Sequence, residues 1–593
     1  MMNEHEEFPG LGDITNIDFA TMLSMLTRPE AFPFALPADK SVMVIQTHAS
    51  AVVLAPELVY KLKKPKNFGF FDFSTPSLRR HFCAEEVRVN RRFAPHVYLG
   101  VAPVLVRVDK STLYSGGRFR FGPTFAPDEA PMPGTILEEG IVVDYAVVMV
   151  RLPDEAMLES RVHAGTASAA LLKEIAQHVA AFHAASLTDE HIASFGSLEV
   201  IRGNWEENFA QMRPYIGRTL DAATYDQIAS YIHGFMEQRS SLFASRISEG
   251  RIRDCHGDLR LQHVYILEGE TADAARQLPR LAILDSIEFN ERFLYSDVTS
   301  EVAFLTMELE AASHYDLARA FVEGYVAESG DQTLRELLPF YSCYRACVRG
   351  KVLSFQVDEP EVPAVQREAA RQQALSLFEL AASYTSGPTR PTLMLIGGLM
   401  GTGKSTLAAA LQHEMGWALF SSDTIRKRLA HVDPTEPHAN AFGQGLYSQK
   451  WTAHTYDALL AEARVALAHG RSVLLDASFL CRADRQAAAR VAAAYDANVL
   501  FVECICPKEV ALKRLAQRWK VRIGECNGAI EEASRASDAR PDLYEAQSAV
   551  WDVYIPYEEP GMKWIVVTTA LPLAVSCEQV YDVLHMPRFA CWL

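Results

Sequence analysis

The stretch Gly398-Leu399-Met400-Gly401-Thr402-Gly403-Lys404-Ser405 decides the fold of the last third of this 593-residue chain. It matches the pattern G-x-x-x-x-G-K-[S/T], follows the apolar run Leu393 to Ile396, and opens a helical pattern through Ala408 and Leu411. Glycines at this spacing let backbone amides curl around phosphate oxygens, and the positive end of the following helix adds to their field. Because strand, loop and helix come in the order that such a site requires, the sequence predicts a phosphate-binding loop.

The predicted loop suits a nucleoside triphosphate with magnesium. Lys404 can reach the β and γ phosphates, and the hydroxyl of Ser405 can ligate Mg²⁺. Asp476 is predicted as a further magnesium ligand because it ends the strand Val473 to Leu475 as a Walker-B carboxylate does; a solvated strand end is the alternative. The residues expected to bind ATP here are Gly398, Leu399, Met400, Gly401, Thr402, Gly403, Lys404, Ser405 and Thr406.

Three more side chains of this region are candidates for catalysis. Asp423 follows the short strand Ala418 to Phe420 and could accept a proton from an acceptor hydroxyl, or cap the helix that follows it. Arg514 and Arg518 lie four apart in the basic segment 508–522, and therefore on one helical face. That face could close over transferring phosphates, or it could be an ordinary solvated surface.

The motifs of this region resemble those of small P-loop kinases of the polynucleotide kinase and gluconate kinase type. The resemblance covers about residues 390 to 570 and includes Ser422-Asp423-x-x-Arg426 and Arg514-Leu-x-x-x-Arg518. It implies transfer of the γ-phosphoryl group of ATP to a hydroxyl, and it does not name the acceptor.

The rest of the chain reads as a separate domain. Residues 385–391 (Thr-Ser-Gly-Pro-Thr-Arg-Pro) form a linker-like run, so we place a boundary there. Upstream, β-like runs at residues 42–45, 58–62, 102–108 and 142–150 surround a helical stretch from Ser77 to Phe93, and mostly helical patterns follow from Ala167 to about Ala382. We therefore predict an N-terminal extension at 1–40, a domain at 41–385 with a small lobe (41–152) and a helical lobe (153–385), and a P-loop domain at 388–593.

A second catalytic constellation lies in the helical lobe. Asp258 belongs to the sequence Cys255-His256-Gly257-Asp258-Leu259, and Asp285 ends an apolar strand about 27 residues later. Two carboxylates at strand ends can serve phosphoryl transfer, one as proton acceptor and the other as magnesium ligand. With the order of the lobes, these motifs resemble the aminoglycoside phosphotransferase-like kinases, a branch of the protein kinase fold. The resemblance implies that Asp258 is the catalytic base, Asp285 the metal ligand and Asp297 a structural acid.

The small lobe fits the same resemblance. Lys61, in the run Leu58-Val59-Tyr60-Lys61, is similar to the lysine that pairs with phosphates, with Lys63 on the same strand face as the alternative. Its partner is expected to be a helix glutamate, either Glu86 or Glu85, and Glu86 has apolar residues after it at helical spacing. An exposed turn is the alternative for the lysines.

Two departures from the family pattern bear on activity. The loop position that the family fills with asparagine, a magnesium ligand, is His263 here, and imidazole prefers softer metals than magnesium. The turn Thr47-His48-Ala49-Ser50, expected to cover the nucleotide, also has no glycine. If His263 binds the metal, one metal site is weakened; the alternative is a pseudokinase.

Composition limits the cellular setting and the partners. The net charge is −17, yet from residue 388 onward 21 basic residues meet 22 acidic ones, so the acidity belongs to the first two thirds. This argues against nucleic acid as a partner. The N-terminus has an acidic start, no apolar run approaches the length of a membrane helix, and the ten cysteines have no zinc-site spacing. We expect a cytoplasmic protein without membrane contact; the sequence does not indicate the oligomeric state.

The combined prediction is a multidomain α/β and α+β chain: a bilobal protein kinase-like domain followed by a three-layer P-loop domain with a parallel sheet. The segments Phe68 to Thr75 and Ile287 to Asn290 resemble tandem proteins with this domain order. The predicted function is a bifunctional kinase that uses ATP and Mg²⁺ on hydroxyl groups of small molecules. The alternatives are a regulatory protein in which a pseudokinase gates a P-loop ATPase, and a C-terminal nucleic-acid end kinase, favoured only by the basic segment 508–522.

Overall fold

The computed structural model describes residues 18–37, 41–47, 49–67, 72–107, 118–267, 280–360, 362–386, 390–433, 443–522, 537–555 and 561–584. These residues form two compact units. The first contains described residues of 1–186 and 254–296, and the second those of 187–253 and 297–593. The functional boundary predicted near 388 stays a prediction, and residues 387–389 lie outside the described ranges.

The strands of the described residues are, in chain order, β1 (Met43–Gln46), β2 (Ser50–Leu54), β3 (Leu58–Lys63), β4 (Tyr98–Arg107), β5 (Arg118–Phe121), β6 (Ile136–Leu137), β7 (Gly140–Val150), β8 (Ile252–Asp254), β9 (Val264–Ile266), β10 (Leu281–Ile283), β11 (Tyr295–Asp297), β12 (Thr392–Gly397), β13 (Ala418–Ser421), β14 (Val473–Asp476), β15 (Asn498–Ile505) and β16 (Met562–Thr568).

The helices are α1 (Phe19–Leu26), α2 (Pro76–Asn90), α3 (Leu158–His163), α4 (Ala169–Ala185), α5 (Glu190–Ser194), α6 (Leu198–Met212), α7 (Ala222–Gln238), α8 (Ser240–Ser248), α9 (Glu291–Leu294), α10 (Val298–Ala311), α11 (Tyr315–Ser329), α12 (Leu334–Val357), α13 (Ala364–Ser383), α14 (Lys404–Met415), α15 (Ser422–Leu429), α16 (Gln449–Ala468), α17 (Arg482–Ala494), α18 (Lys508–Arg522), α19 (Tyr544–Ser548) and α20 (Leu573–Leu584).

The first unit is built on an antiparallel sheet of order β1-β2-β3-β7-β4-β5, with β6 paired to β7. Alternation along central strand β7 sends Ala146 and Val148 to the face that α1 covers, and Val147 to the face that α2 covers. Helix α2 starts sharply because the Thr75 hydroxyl accepts a hydrogen bond from the Leu78 amide and Pro76 occupies the first helical position. Packing of α2 on the sheet thereby sets the position of Glu86 on α2 relative to Lys61 on β3.

The second unit combines a helical bundle with a parallel sheet. Aromatic and aliphatic side chains of α6, α7, α12 and α13 form the bundle core, including Trp205, Phe235, Phe340 and Phe378. The sheet has the order β13-β14-β12-β15-β16 with all neighbours parallel. Helices α14 and α20 cover one face, and α16 and α17 cover the other. Ligands of such three-layer sheets bind at the carboxyl ends of the strands, where the phosphate-binding loop begins.

The predicted multidomain α/β and α+β fold class is confirmed, and most elements lie within a few residues of their predicted bounds. One strand was not predicted: Ser50–Leu54, between the runs at 42–45 and 58–62, forms β2. It pairs with both β1 and β3, and its residues Ala51 and Val53 are buried on one face of the sheet. Among the described residues, no helix is both long and apolar enough to span a membrane.

Candidate functional site

The loop 398–405 has the backbone that its glycines predict. Gly398, Gly401 and Gly403 have φ of 130°, 78° and 84°, a region that side chains strain. A Cβ at Gly398 would lie 2.4 Å from the Cys504 carbonyl oxygen, and one at Gly401 would lie 2.7 Å from that of Ala511. The loop therefore requires glycine for its conformation and for its close packing on neighbouring backbone.

Lys404 and Ser405, the first two residues of α14, lie beside Asp476. The Lys404 ammonium donates to the Leu399 carbonyl at 2.8 Å, and the Ser405 hydroxyl donates to Asp476 Oδ2 at 2.8 Å. Burial raises the pKa of Asp476 to about 6, although the Lys404 ammonium opposes the rise. Burial likewise lowers the pKa of Lys404. The arrangement joins a cation and two oxygen donors at the carboxyl end of β14.

Residues far along the chain also support this loop, and no sequence motif predicts them. The Gln547 amide oxygen accepts a hydrogen bond from the Met400 amide at 2.7 Å, and the Thr569 hydroxyl donates to the Thr402 carbonyl. The side chain of Thr402 donates to Leu399 at 2.7 Å. The backbone of the phosphate-binding loop is therefore held in place by residues that follow β15 as well as by the glycines of the motif.

Asp423 lies in the first turn of α15, at the same edge of the sheet. Helix α15 begins at Ser422 with Ser421 as its N-cap, so the alternative that Asp423 caps the helix was wrong. Arg426 donates to Asp423 Oδ1 at 3.3 Å, and its guanidinium stacks over the Tyr447 ring at 4.5 Å. The carboxylate of Asp423 therefore has a charged partner and stays 29% exposed.

The basic helix α18 meets the same space. Arg514 donates to the Thr569 carbonyl at 2.8 Å, which ties α18 to the end of β16. A cavity of about 1350 Å³ is lined by residues of the loop, of α15 and of α18, including Lys404, Ser405, Thr406, Asp423, Asp476, Arg514 and Arg518. The structure brings these predicted residues to one cavity, large enough for a nucleotide and a second small molecule.

In the first unit, both candidate lysines of β3 contact Glu86 of α2. Lys61 Nζ lies 2.9 Å from Glu86 Oε1, and Lys63 Nζ lies 2.7 Å from Glu86 Oε2. Glu85, the alternative partner, instead accepts hydrogen bonds from Arg88 on the exposed side of the helix. The exposed-turn alternative was wrong for both lysines, because Lys63 is buried and Lys61 nearly so.

Asp285 lies next to Lys61, and His263 stands between it and Asp258. Lys61 donates to Asp285 Oδ1 at 2.5 Å, and His263 Nε2 lies 3.6 Å from Asp285 Oδ2. Partial loss of surrounding water would raise the pKa of Asp285, but the Lys61 ammonium outweighs it and holds that pKa well below its usual range. On the other side, His263 Nδ1 lies 2.8 Å from the Asp258 carbonyl and 3.5 Å from its carboxylate.

The hydrogen bonds of His263 fix how its ring can serve. A carbonyl oxygen only accepts, so Nδ1 carries the proton in this geometry. Nε2 is then the lone-pair nitrogen, and the Gln262 amide nitrogen contacts it at 3.0 Å. A metal bound at Nε2 would have to displace Gln262. Binding of a metal ion by His263, as predicted, would therefore compete with the contact between His263 and Gln262.

Residues outside the predicted set hold the loop of Asp285. Its backbone has φ of 65°, and its amide donates to the Tyr98 hydroxyl at 3.0 Å. The Asn90 side chain of α2 accepts from the Ser286 amide at 2.8 Å. Sequence patterns could not identify Tyr98 or Asn90, because both act across more than 180 residues of chain.

Two sequence features lie wholly or partly beyond the described residues: His48, in the turn that was expected to cover the nucleotide, and residues 68–71 of the stretch Phe68 to Thr75. Asp297, predicted as a structural acid, caps α10 and forms a buried ion pair with Arg246 at 2.6 Å.

The donor atoms permit a test of the predicted magnesium. Mg²⁺ prefers oxygen ligands, and Ser405 with Asp476 supplies a hydroxyl and a carboxylate. That pair fits. Asp285 with His263 offers one carboxylate and one imidazole, a mixed set that suits magnesium less well.

The chain is similar in sequence to known proteins. Residues 393–537 match the family model AAA_33, described as an AAA domain. An uncharacterized protein of Mycobacterium tuberculosis strain H37Rv, Rv2004c, is 32% identical over 499 residues, which cover 84% of this chain and 89% of that protein.

Solved structures resemble the two parts separately. A sugar kinase from Janibacter sp. is 19% identical with a TM-score of 0.23, covering 34% of this chain and 98% of its own. A choline/ethanolamine kinase family protein from Mesorhizobium loti is 11% identical with a TM-score of 0.33, covering 62% and 99%. The predicted P-loop domain is confirmed by the family model over residues 393–537.

Proposed function

The chain belongs to the same family as the mycobacterial protein Rv2004c. From the geometry of its two sites we propose that it is a bifunctional phosphotransferase that uses ATP and Mg²⁺ on hydroxyl groups of small molecules. The P-loop domain at 388–593 supplies one site, and the kinase-like domain at 41–385 supplies the other. One observation carries the proposal: Lys404, Ser405, Asp476 and Asp423 share a single cavity.

In the proposed C-terminal reaction, the loop amides and Lys404 hold the triphosphate, and Asp423 accepts the proton of the acceptor hydroxyl. The acceptor oxygen bonds to the γ phosphorus as the bond from that phosphorus to the bridging oxygen of ADP breaks. Magnesium, when bound at Ser405 and Asp476, neutralises charge on the phosphate oxygens. Arg514 and Arg518 add positive charge from α18, and ADP with the phosphorylated acceptor leaves.

In the proposed N-terminal reaction, Lys61 binds phosphate oxygens while Glu86 holds it in place. Asp258 accepts the proton of the second acceptor, and Asp285 serves as metal ligand. The support is geometric: Asp258 and Asp285 flank one imidazole, and Lys61 lies on Asp285.

The test uses the full chain with γ-labelled ATP and a mixture of small-molecule metabolites. Lys404→Ala should lower labelling of one set of products by about a hundredfold, and Asp258→Ala should lower another set by a similar factor. Asp226→Ala, an exposed aspartate of α7, is the matched control and should change neither. Products that are still labelled at the wild-type level in the double variant Lys404→Ala/Asp258→Ala would contradict the proposal.

A second candidate function follows from His263. Its Nε2 contacts Gln262, and the Asp285 carboxylate accepts a hydrogen bond from Lys61, so neither group is free to bind a metal in this geometry. In this second function the N-terminal site binds nucleotide without transferring phosphate and regulates the P-loop domain. In that case Asp258→Ala would leave every labelled product unchanged, while Lys61→Met would alter phosphate release by the P-loop domain.

A further inference from the structure

Two lysines of β3 share one glutamate, and the structure distinguishes their surroundings. Lys61 and Lys63 are two residues apart, so both side chains leave the same face of the strand. Each contacts a different oxygen of Glu86. One carboxylate cannot balance two ammonium groups, so a further acidic partner is needed.

That partner differs for the two lysines. Lys63 pairs with Glu288, and the side chains of Lys63, Glu86 and Glu288 are 1%, 0% and 7% exposed. Lys61 pairs with Asp285, whose side chain is 48% exposed. The Lys63 group is therefore closed to solvent, while the Lys61 group is open to a ligand.

The position of Glu288 in the chain gives its pairing a consequence. Glu288 comes three residues after Asp285, and the residues between them are also anchored. The Ser286 amide donates to Asn90 at 2.8 Å, and the Ile287 amide donates to the His256 carbonyl at 3.1 Å. Lys63 lies under the Phe73 ring at 4.8 Å, which adds a favourable contact for its charge. The loop of Asp285 is thus tied to α2, to the segment of Asp258 and, through Glu288, to β3.

We propose that Glu288 is a positioning residue: paired with Lys63, it holds the Asp285 loop against β3, so that Lys61 alone faces the phosphates of a nucleotide. The inference rests on the proposed N-terminal site. When Asp285 leaves Lys61 to bind a metal ion, each lysine still has one carboxylate partner: Glu86 stays with Lys61, and Glu288 stays with Lys63.

The experiment uses the full chain with Lys404→Ala, so that the P-loop site does not report. ATP binding is measured by calorimetry with magnesium for Lys61→Met, Lys63→Met, Glu288→Gln and the double variant Lys63→Met/Glu288→Gln. We expect Lys61→Met to weaken binding at least tenfold. Lys63→Met and Glu288→Gln should each weaken it a few fold, and the double variant should lose no more than the worse single variant. Glu174→Gln, whose exposed carboxylate pairs with Arg280, is the control.

Three results would overturn the inference: unchanged ATP affinity in Glu288→Gln, losses that multiply in the double variant, or a larger loss in Lys63→Met than in Lys61→Met. If the Lys404→Ala chain binds no ATP, the proposed N-terminal site fails instead. In that case the Lys63–Glu288 interaction is tested without nucleotide, by urea unfolding of the same variants. Independent effects of the two substitutions on the unfolding midpoint would refute it, and a smaller combined effect than their sum would support it.

Discussion

Arg239 and Glu336 form a buried ion pair, 2.8 Å long, that joins the helical bundle to the base of the parallel sheet. Arg239 also donates to the Gly470 carbonyl at 2.7 Å and to the Ser472 hydroxyl at 3.2 Å. Glu336 accepts a hydrogen bond from the Ser472 amide at 3.0 Å. Because Ser472 immediately precedes β14, this cluster holds the end of the sheet opposite the phosphate-binding loop.

Glu336→Ala should destabilise the second unit by about 3 to 5 kcal/mol, because it leaves the guanidinium of Arg239 buried without its carboxylate. Urea unfolding measures the effect, with Glu328→Ala, an exposed glutamate of α11, as control. The double variant Arg239→Met/Glu336→Leu should be less damaged than Glu336→Ala. A decrease of less than about 1 kcal/mol in the free energy of unfolding of Glu336→Ala would contradict the role of this pair in joining the bundle to the sheet.

Glu310 should make stability depend on pH. Burial raises its pKa from 4.5 to about 7, although the Tyr384 hydroxyl donates to it. Between these values the native state keeps a proton that the unfolded chain releases, so stability should fall as pH rises from about 4.5 to 7, by about 3 kcal/mol in total. Glu310→Gln should remove this fall.

Urea unfolding at pH 5 and pH 8 tests the prediction. The wild type and Glu310→Gln should differ little at pH 5, and the variant should be the more stable at pH 8. Glu379→Gln, an exposed glutamate of α13, controls for the loss of a charge. Equal pH dependence in wild type and Glu310→Gln would contradict the assignment.

Gly401→Ala should abolish most nucleotide binding by the P-loop. Its backbone has φ of 78°, and the added methyl group would meet the Ala511 carbonyl oxygen at 2.7 Å, so α18 must shift. Gly330→Ala is the matched control, since Gly330 has φ of 67° with open space around it. Both variants should lose about 1 to 2 kcal/mol of stability from the left-handed conformation. Only Gly401→Ala should weaken ATP binding, measured by calorimetry in the Lys61→Met background.

Ser405→Ala should separate magnesium-dependent from magnesium-independent binding. Its hydroxyl donates to Asp476 and is the proposed magnesium ligand of α14. In the Lys61→Met background, ATP affinity with magnesium should fall at least tenfold, while affinity in excess EDTA should stay unchanged. Ser248→Ala, an exposed serine of α8, should change neither value. An equal loss with and without magnesium would assign Ser405 to the loop structure rather than to the metal.

The sequence predicts features whose chemistry is local, and it misses those made by packing. The loop 398–405 is contiguous, so its glycines, lysine and serine reveal the site at once. Helical spacing favours Glu86, and strand alternation leaves Lys61 and Lys63 equivalent. Their difference arises from Glu288, 225 residues away from Lys63, which no local pattern connects to β3. The same holds for Gln547, whose side chain reaches Met400 across 147 residues.

The supports of the phosphate-binding loop also decide where this domain can be cut. The match to the AAA_33 family model ends at residue 537, whereas Gln547 and Thr569, which hold the amide of Met400 and the carbonyl of Thr402, come after it. A fragment that ends at residue 537 would keep every motif residue. It would lose the edge strand β16 and the two side chains, Gln547 and Thr569, that bind the loop. Expression of the C-terminal part for crystallisation or screening should therefore extend through α20.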